Sequence, residues 1–129
     1  MIVVDTSVWI DAVRDPSSPI AGALDGLIDA DAACLALPVR LELLSGLGRR
    51  DREMLRRGLT GIALAVPSDA TWDLVERWIE TAADAGQRFA LADLLIAALA
   101  HELTALVWSL DRDFDRMAAL GFVQPYTWN

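Results

Sequence analysis

Apolar positions recur along the chain with two periods, and the changes of period mark the elements. Ile2-Val3-Val4 is a β-branched run ended by Asp5 and predicts a short buried strand. Thr6 and Ser7 can then cap a helix whose apolar positions are Val8, Trp9, Ile10 and Val13. After the turn signal Asp15-Pro16-Ser17-Ser18-Pro19, residues Ile20, Leu24, Leu27 and Ile28 recur at helical spacing. Ala33 to Leu37 predicts a second strand, and Pro38 fits the first turn of a helix carrying Val39, Leu41, Leu43, Leu44 and Leu47, closed by Gly48. A charged helical segment follows over 49–58, then a third strand candidate from Ile62 to Val66. Ser68 or Asp69 opens a long helix with Trp72, Val75, Trp78, Ile79 and Ala82 on one face, ended by Gly86. A further helix spans Leu91 to Leu103, a fourth strand Leu106 to Trp108, and a helix with Phe114, Met117 and Leu120 precedes Gly121 and a short final strand near Val123.

Strands alternating with helices over short connections predict a three-layer α/β domain with a mainly parallel central sheet flanked by helices. The chain has 129 residues, which suits one domain over 1–129, and 54% hydrophobic against 23% charged residues suits a compact core. Composition narrows the chemistry further. The 11 basic residues are all Arg, against 19 acidic ones, for a net charge of −8. Bulk charge therefore cannot hold the protein on nucleic acid. Without Lys there is no Walker-type phosphate loop, Schiff base or lysine base. One histidine, His101, removes two-histidine ribonuclease chemistry and multi-histidine zinc sites; one cysteine, Cys34, removes an intrachain disulfide and suits a reducing cytosol. The early Asp5 is incompatible with a secretory leader, and the longest uncharged stretch, 117–129, is too short to span a bilayer. The expectation is a cytoplasmic protein with no membrane contact.

What remains abundant is carboxylate, and several acids stand where the pattern predicts burial. Asp5 and Asp111 each end an apolar strand-like run. Asp93 is the only charge between Phe89 and Ala100, and its helical neighbours Ile96, Ala97 and Ala100 offer it no cation. Glu42 has the small residues Ser45 and Gly46 beside it. Each acid has a structural explanation taken singly, as a cap, a first-turn acid or an exposed side chain. Burying several unpartnered carboxylates is costly, however, and a shared metal is the economical answer. In open parallel sheets, ligands collect beyond the carboxyl ends of the strands, where Asp5 and Asp111 belong.

Four segments, Asp5-Thr6-Ser7-Val8-Trp9-Ile10-Asp11, Glu42-Leu43-Leu44-Ser45-Gly46, Asp93-Leu94-Leu95-Ile96-Ala97-Ala98 and Ser109-Leu110-Asp111-Arg112-Asp113-Phe114, resemble in order and spacing the motifs of PIN-domain ribonucleases. Length and N-terminal start resemble the VapC toxins of bacterial toxin–antitoxin pairs. The resemblance implies that Asp5, Glu42, Asp93 and Asp111 form a catalytic quartet, with Asp5, Asp93 and Asp111 binding Mg²⁺ or Mn²⁺. It adds Asp113, Thr6 and Ser109 as further site residues, and leaves open whether Asp111 or Asp113 is the fourth acid, Asp111 being favoured because it comes first after the strand. It implies hydrolysis of RNA to a 5′-phosphate and a 3′-hydroxyl, with transfer and ribosomal RNA both candidate substrates. It also implies a homodimer and a VapB-type antitoxin lying across the helices with a basic side chain among the acids. Shortage of His and Cys agrees with a magnesium-class ion rather than zinc. Two other readings stay open: a PIN-fold RNA-processing nuclease without an antitoxin, and a catalytically silent module whose acids dock a basic peptide.

Five of the 11 arginines fall between Arg49 and Arg57, a local charge of +3 after Asp51 and Glu53 are subtracted. Arg49, Arg52 and Arg56 share one side of that helix and are candidates for RNA contact, against the alternative of a solvated, internally paired face. Arg14, Arg88, Arg112 and Arg116 lie beside the motifs and are candidates of the same kind. His101 reads as a helix-end histidine, and the first four tryptophans read as core, leaving Trp128 for base stacking or a subunit contact. Cys34, inside a strand candidate, reads as inert packing.

Overall fold

The computed structural model describes residues 1–128. Four short strands, β1 (Ile2–Val4), β2 (Ala33–Ala36), β3 (Ala63–Ala65) and β4 (Leu106–Trp108), form one sheet in the order β3-β2-β1-β4, and every pairing is parallel. The connections are helical: α1 (Thr6–Arg14) and α2 (Pro19–Asp29) join β1 to β2, and α3 (Leu37–Ser45) and α4 (Arg49–Gly58) join β2 to β3. α5 (Asp69–Asp84) and α6 (Leu91–Glu102) lead to β4, and α7 (Arg112–Ala119) follows it. The chain steps outward from β1 to β2 to β3 and then returns to the other side of β1. The reversal creates a switch point between the carboxyl ends of β1 and β4, where such sheets bind ligands.

The core explains the strand residues. Val3, Val4, Leu35, Ala36 and Val107 are all essentially inaccessible, as a sheet covered by helices on both faces requires. α6 is buried along its whole middle, from Leu94 to Ala100, so its apolar run is not amphipathic but central. Trp9 fits the interior because its indole Nε1 donates to the Val4 carbonyl at 3.2 Å. α5 ends in a Schellman motif: Gln87 N–H reaches the Ala82 carbonyl and Gly86 N–H the Ala83 carbonyl. Gly86 takes φ +72, the left-handed conformation that this closure needs.

Several expectations shift. Asp5, rather than Thr6 or Ser7, is the N-cap of α1, since its carboxylate accepts from Ser7 N–H. β2 ends at Ala36 and Leu37 already opens α3, which stops at Ser45 with Gly46 as its cap, before the expected Gly48. The buried stripe of α5 is Thr71, Val75, Trp78 and Ala82; Trp72 is 49% exposed and is not core. A threonine takes the inward position because its hydroxyl is satisfied by Ser68 N–H and by Glu102 at the far end of α6. The final strand near Val123 reduces to a single bridge between Val107 and Pro125. Trp128 is half-buried and stacks on Trp108 at 6.0 Å between ring centroids, so the tail closes over β4 instead of presenting a free ring.

Candidate functional site

The sheet register fixes the first part of the site. Val4 pairs with Trp108, and Asp5 N–H bonds the Trp108 carbonyl at 2.8 Å, so the ladder delivers Asp5 beside Ser109. Asp5 is 5% exposed, and its Oδ2 accepts from Ser7 Oγ at 2.7 Å, Ser109 Oγ at 2.8 Å and Ser7 N–H at 3.4 Å. Each hydroxyl also accepts a main-chain N–H: Leu110 N–H reaches Ser7 Oγ and Asp111 N–H reaches Ser109 Oγ, both at 3.0 Å. This network ties the end of β1 to the end of β4 and holds one carboxylate oxygen completely, which orients the other. Ser7 is the site residue that sequence reading missed; as a cap it looked local, and only the strand pairing brings the β4 loop onto it.

Asp93 enters from α6, in its first turn, while Asp111 is the N-cap of α7 and Asp113 lies in that helix's first turn. Oxygens of Asp93, Asp111 and Asp113 all lie within 4.8 Å of one another, a spacing able to hold a metal ion. Asp111 Oδ1 accepts from Asp113 N–H at 2.9 Å, which fixes the turn between them. Glu42, exposed on α3, accepts from Thr6 Oγ1 at 2.9 Å across 36 residues of sequence. Four of these acids sit at the N-termini of α1, α6 and α7, where the helix dipole favours negative charge.

The combined field is felt most by Asp93, whose carboxyl is pushed up from 3.8 to about 6. Burial is the largest cause, followed by the charges of Asp5, Asp111, Asp113 and Glu42. Asp5 and Glu42 lie outside the tight three-acid group but close enough to act on it. All four members of the expected quartet therefore converge with Asp113, and both Asp111 and Asp113 face Asp93.

The donor set is oxygen throughout, carboxylates with Thr6, Ser7 and Ser109 hydroxyls. His101 lies at the far end of α6, about 12 Å along the helix axis from Asp93, with its ring edge-on to Trp78. Cys34 is buried in β2. Such a set fits a hard, oxygen-preferring divalent cation.

The arginines divide. Arg52 Nη1 donates to the Leu47 carbonyl at 2.8 Å and Arg56 pairs with Glu53 at 2.7 Å, so both have internal partners. Arg49 and Arg112 are exposed at the first positions of α4 and α7. Arg116 is different: its guanidinium pairs with Asp113, within the acidic cluster itself.

The PIN domain family model matches residues 2–120. The chain belongs to the PIN domain family. It is a VapC-type member: ribonuclease VapC11 of Mycobacterium tuberculosis is 33% identical over 129 residues, with 96% of each chain covered. Among solved structures, VapBC2 of Rickettsia felis, bound to a DNA fragment from its promoter, superimposes with a TM-score of 0.80 at 18% identity, covering both chains completely. VapC20 of M. tuberculosis, a sarcin-ricin loop cleaving toxin, gives 0.65 at 18% identity, covering 96% of this chain and 98% of its own. The PIN match spans all five acids, from β1 through α7. No helix among the described residues is long and apolar enough to cross a membrane.

Proposed function

We propose that this VapC-type protein, as a single PIN domain, hydrolyses RNA phosphodiester bonds with Mg²⁺ or Mn²⁺ held by Asp5, Asp93, Asp111 and Asp113. The observation that carries this reading is the convergence of four acids on Asp93, from the end of β1, from α3 and from α7, in a group that includes no His or Cys among the described residues. A bound divalent ion would lower the pKa of a ligated water and neutralise charge on the phosphate. The residues of the chain do the rest. Asp5 offers the oxygen left over from its three hydrogen bonds. Glu42 has one oxygen held by Thr6, and the other is available to take the proton of the attacking water. The exposed Arg49 contacts the RNA backbone from α4, with Arg52 and Arg56 on the same helix, the exposed Arg112 does so from α7, and they offset the net charge of −8 locally.

The helices also carry exposed apolar side chains. Val13, Leu41 and Met54, each exposed on a different one of α1, α3 and α4, at 67%, 55% and 60%, are apolar side chains that a VapB-type antitoxin lying across the helices would cover. On the far side of α5, Trp72 and Ile79 stand two turns apart and lead to Leu91 at the start of α6, a surface suited to a second copy of the chain. Purified protein should cut a mixed pool of transfer and ribosomal RNA in Mg²⁺ and stop in EDTA. It should bind the product of a small adjacent reading frame and lose cleavage on doing so. Absence of cleavage in both Mg²⁺ and Mn²⁺ would reject the enzymatic reading and leave the docking module.

A further inference from the structure

Arg116 is the one basic side chain among the described residues that is ion-paired with an acid of the cluster, and it is held more firmly than an ordinary surface pair requires. Its Nη2 bonds Asp113 and its Nη1 bonds the Gln87 side-chain carbonyl. The guanidinium carbon lies 5.0 Å from the centroid of the Phe89 ring. Phe89 is itself buried and edge-on to Phe122, and Gln87 is fixed by the Schellman closure of α5. A carboxylate, an amide and an aromatic face thus define the position of one guanidinium, whose side chain remains 45% exposed.

A planar guanidinium has five N–H donors, and two here are engaged. A surface i,i+3 pair alone would leave a long, mobile side chain and contribute little. Here the ordering cost is met by Gln87 and Phe89 before any ligand arrives, and three N–H donors remain for phosphate oxygens.

Resting on the nuclease reading above, we propose that Arg116 is a substrate-binding residue, a preorganised clamp for an RNA backbone phosphate at the metal-binding acids. A divalent ion held by Asp113 would draw on the same carboxylate charge, leaving guanidinium donors of Arg116 for the incoming phosphate. Gln87 and Phe89 are positioning residues that hold the guanidinium at the edge of the acidic cluster.

The test measures binding of a fluorescein-labelled single-stranded RNA across a salt series, with Ca²⁺ in place of Mg²⁺, for wild type, Arg116→Ala, Arg116→Lys and Phe89→Leu. Arg116→Ala should weaken binding about tenfold and make the slope of log K against log salt shallower by about 0.7, the loss of one single-strand phosphate contact. Arg116→Lys should restore the slope but only part of the affinity, and Phe89→Leu should weaken binding with the slope unchanged. The Ca²⁺-induced rise in melting temperature should persist in every variant, because the acids remain. Unchanged RNA affinity and slope in Arg116→Ala, with only a lower melting temperature, would overturn the proposal and make Arg116 a staple between α7 and the α5–α6 loop. Failure of the wild type itself to bind RNA would instead reject the nuclease reading.

Discussion

Replacing Asp93 by Asn should stabilise the metal-free protein, which is the reverse of what removing a buried polar side chain usually does. Asp93 has a carboxyl pushed up to about 6 from its ordinary 3.8, so between those values the folded state holds a proton that the unfolded state releases. Stability therefore falls as pH rises through this window, and the cost persists at neutral pH. A difference of about two pH units at about 1.4 kcal/mol each sets a ceiling of about 3 kcal/mol. Asp93 is partly exposed, and solvent screening reduces this to about 1.5 kcal/mol. Asn keeps the shape and removes the charge. In EDTA at pH 7.5 the variant should melt about 6 °C above the wild type, and the gap should close below about pH 4. A divalent ion at about 100 times its Kd adds about 2.7 kcal/mol to the wild type alone and should reverse the order. Thermal melts with and without Mg²⁺ read all three effects. A variant that is less stable at both pH values, or that keeps the full Mg²⁺ shift, would refute the electrostatic account of this site.

Ser7→Ala removes the hydroxyl that bonds both Asp5 Oδ2 and Leu110 N–H, and should cost about 1–3 kcal/mol of stability and about 10–100-fold in metal affinity, read by melts and calorimetry. Ser7→Thr, which keeps the hydroxyl, should recover most of the metal affinity. Trp78→Ala should cost about 3–5 kcal/mol because Trp78 is buried and stacks on Phe122, whereas Trp72→Ala on the exposed side of α5 should stay within about 0.5 kcal/mol for the monomer in urea melts.

The elements were legible because their signals are strong: a β-branched triplet at Ile2–Val4, Pro38 at the start of α3, and Gly86 after α5. Boundaries moved where two residues compete for one role, as when Asp5 captures Ser7 N–H and becomes the cap of α1. Helical periodicity placed Trp72 and Trp78 on one stripe, but α5 packs through Thr71, whose hydroxyl finds partners that a sequence pattern cannot display. At the site, the anomaly of Asp93 within an apolar helix was visible without coordinates, and so were the acids that end β1 and β4. The part played by Ser7 was not, and Arg116 was one of four arginines beside the motifs that the sequence could not tell apart. Both depend on contacts between segments distant in sequence, the β1–β4 register for Ser7 and the α5–α6 loop for Arg116.

RNA cleavage by the purified protein, with new 5′ ends mapped for wild type and Asp5→Asn side by side, tests the central claim most directly. The wild type should produce defined cuts bearing 5′-phosphates in Mg²⁺ or Mn²⁺ and none in EDTA, while Asp5→Asn should produce none and still melt cooperatively. Cleavage by Asp5→Asn at the wild-type rate, or wild-type cleavage that survives EDTA, would contradict a metal-dependent carboxylate site at the ends of β1 and β4.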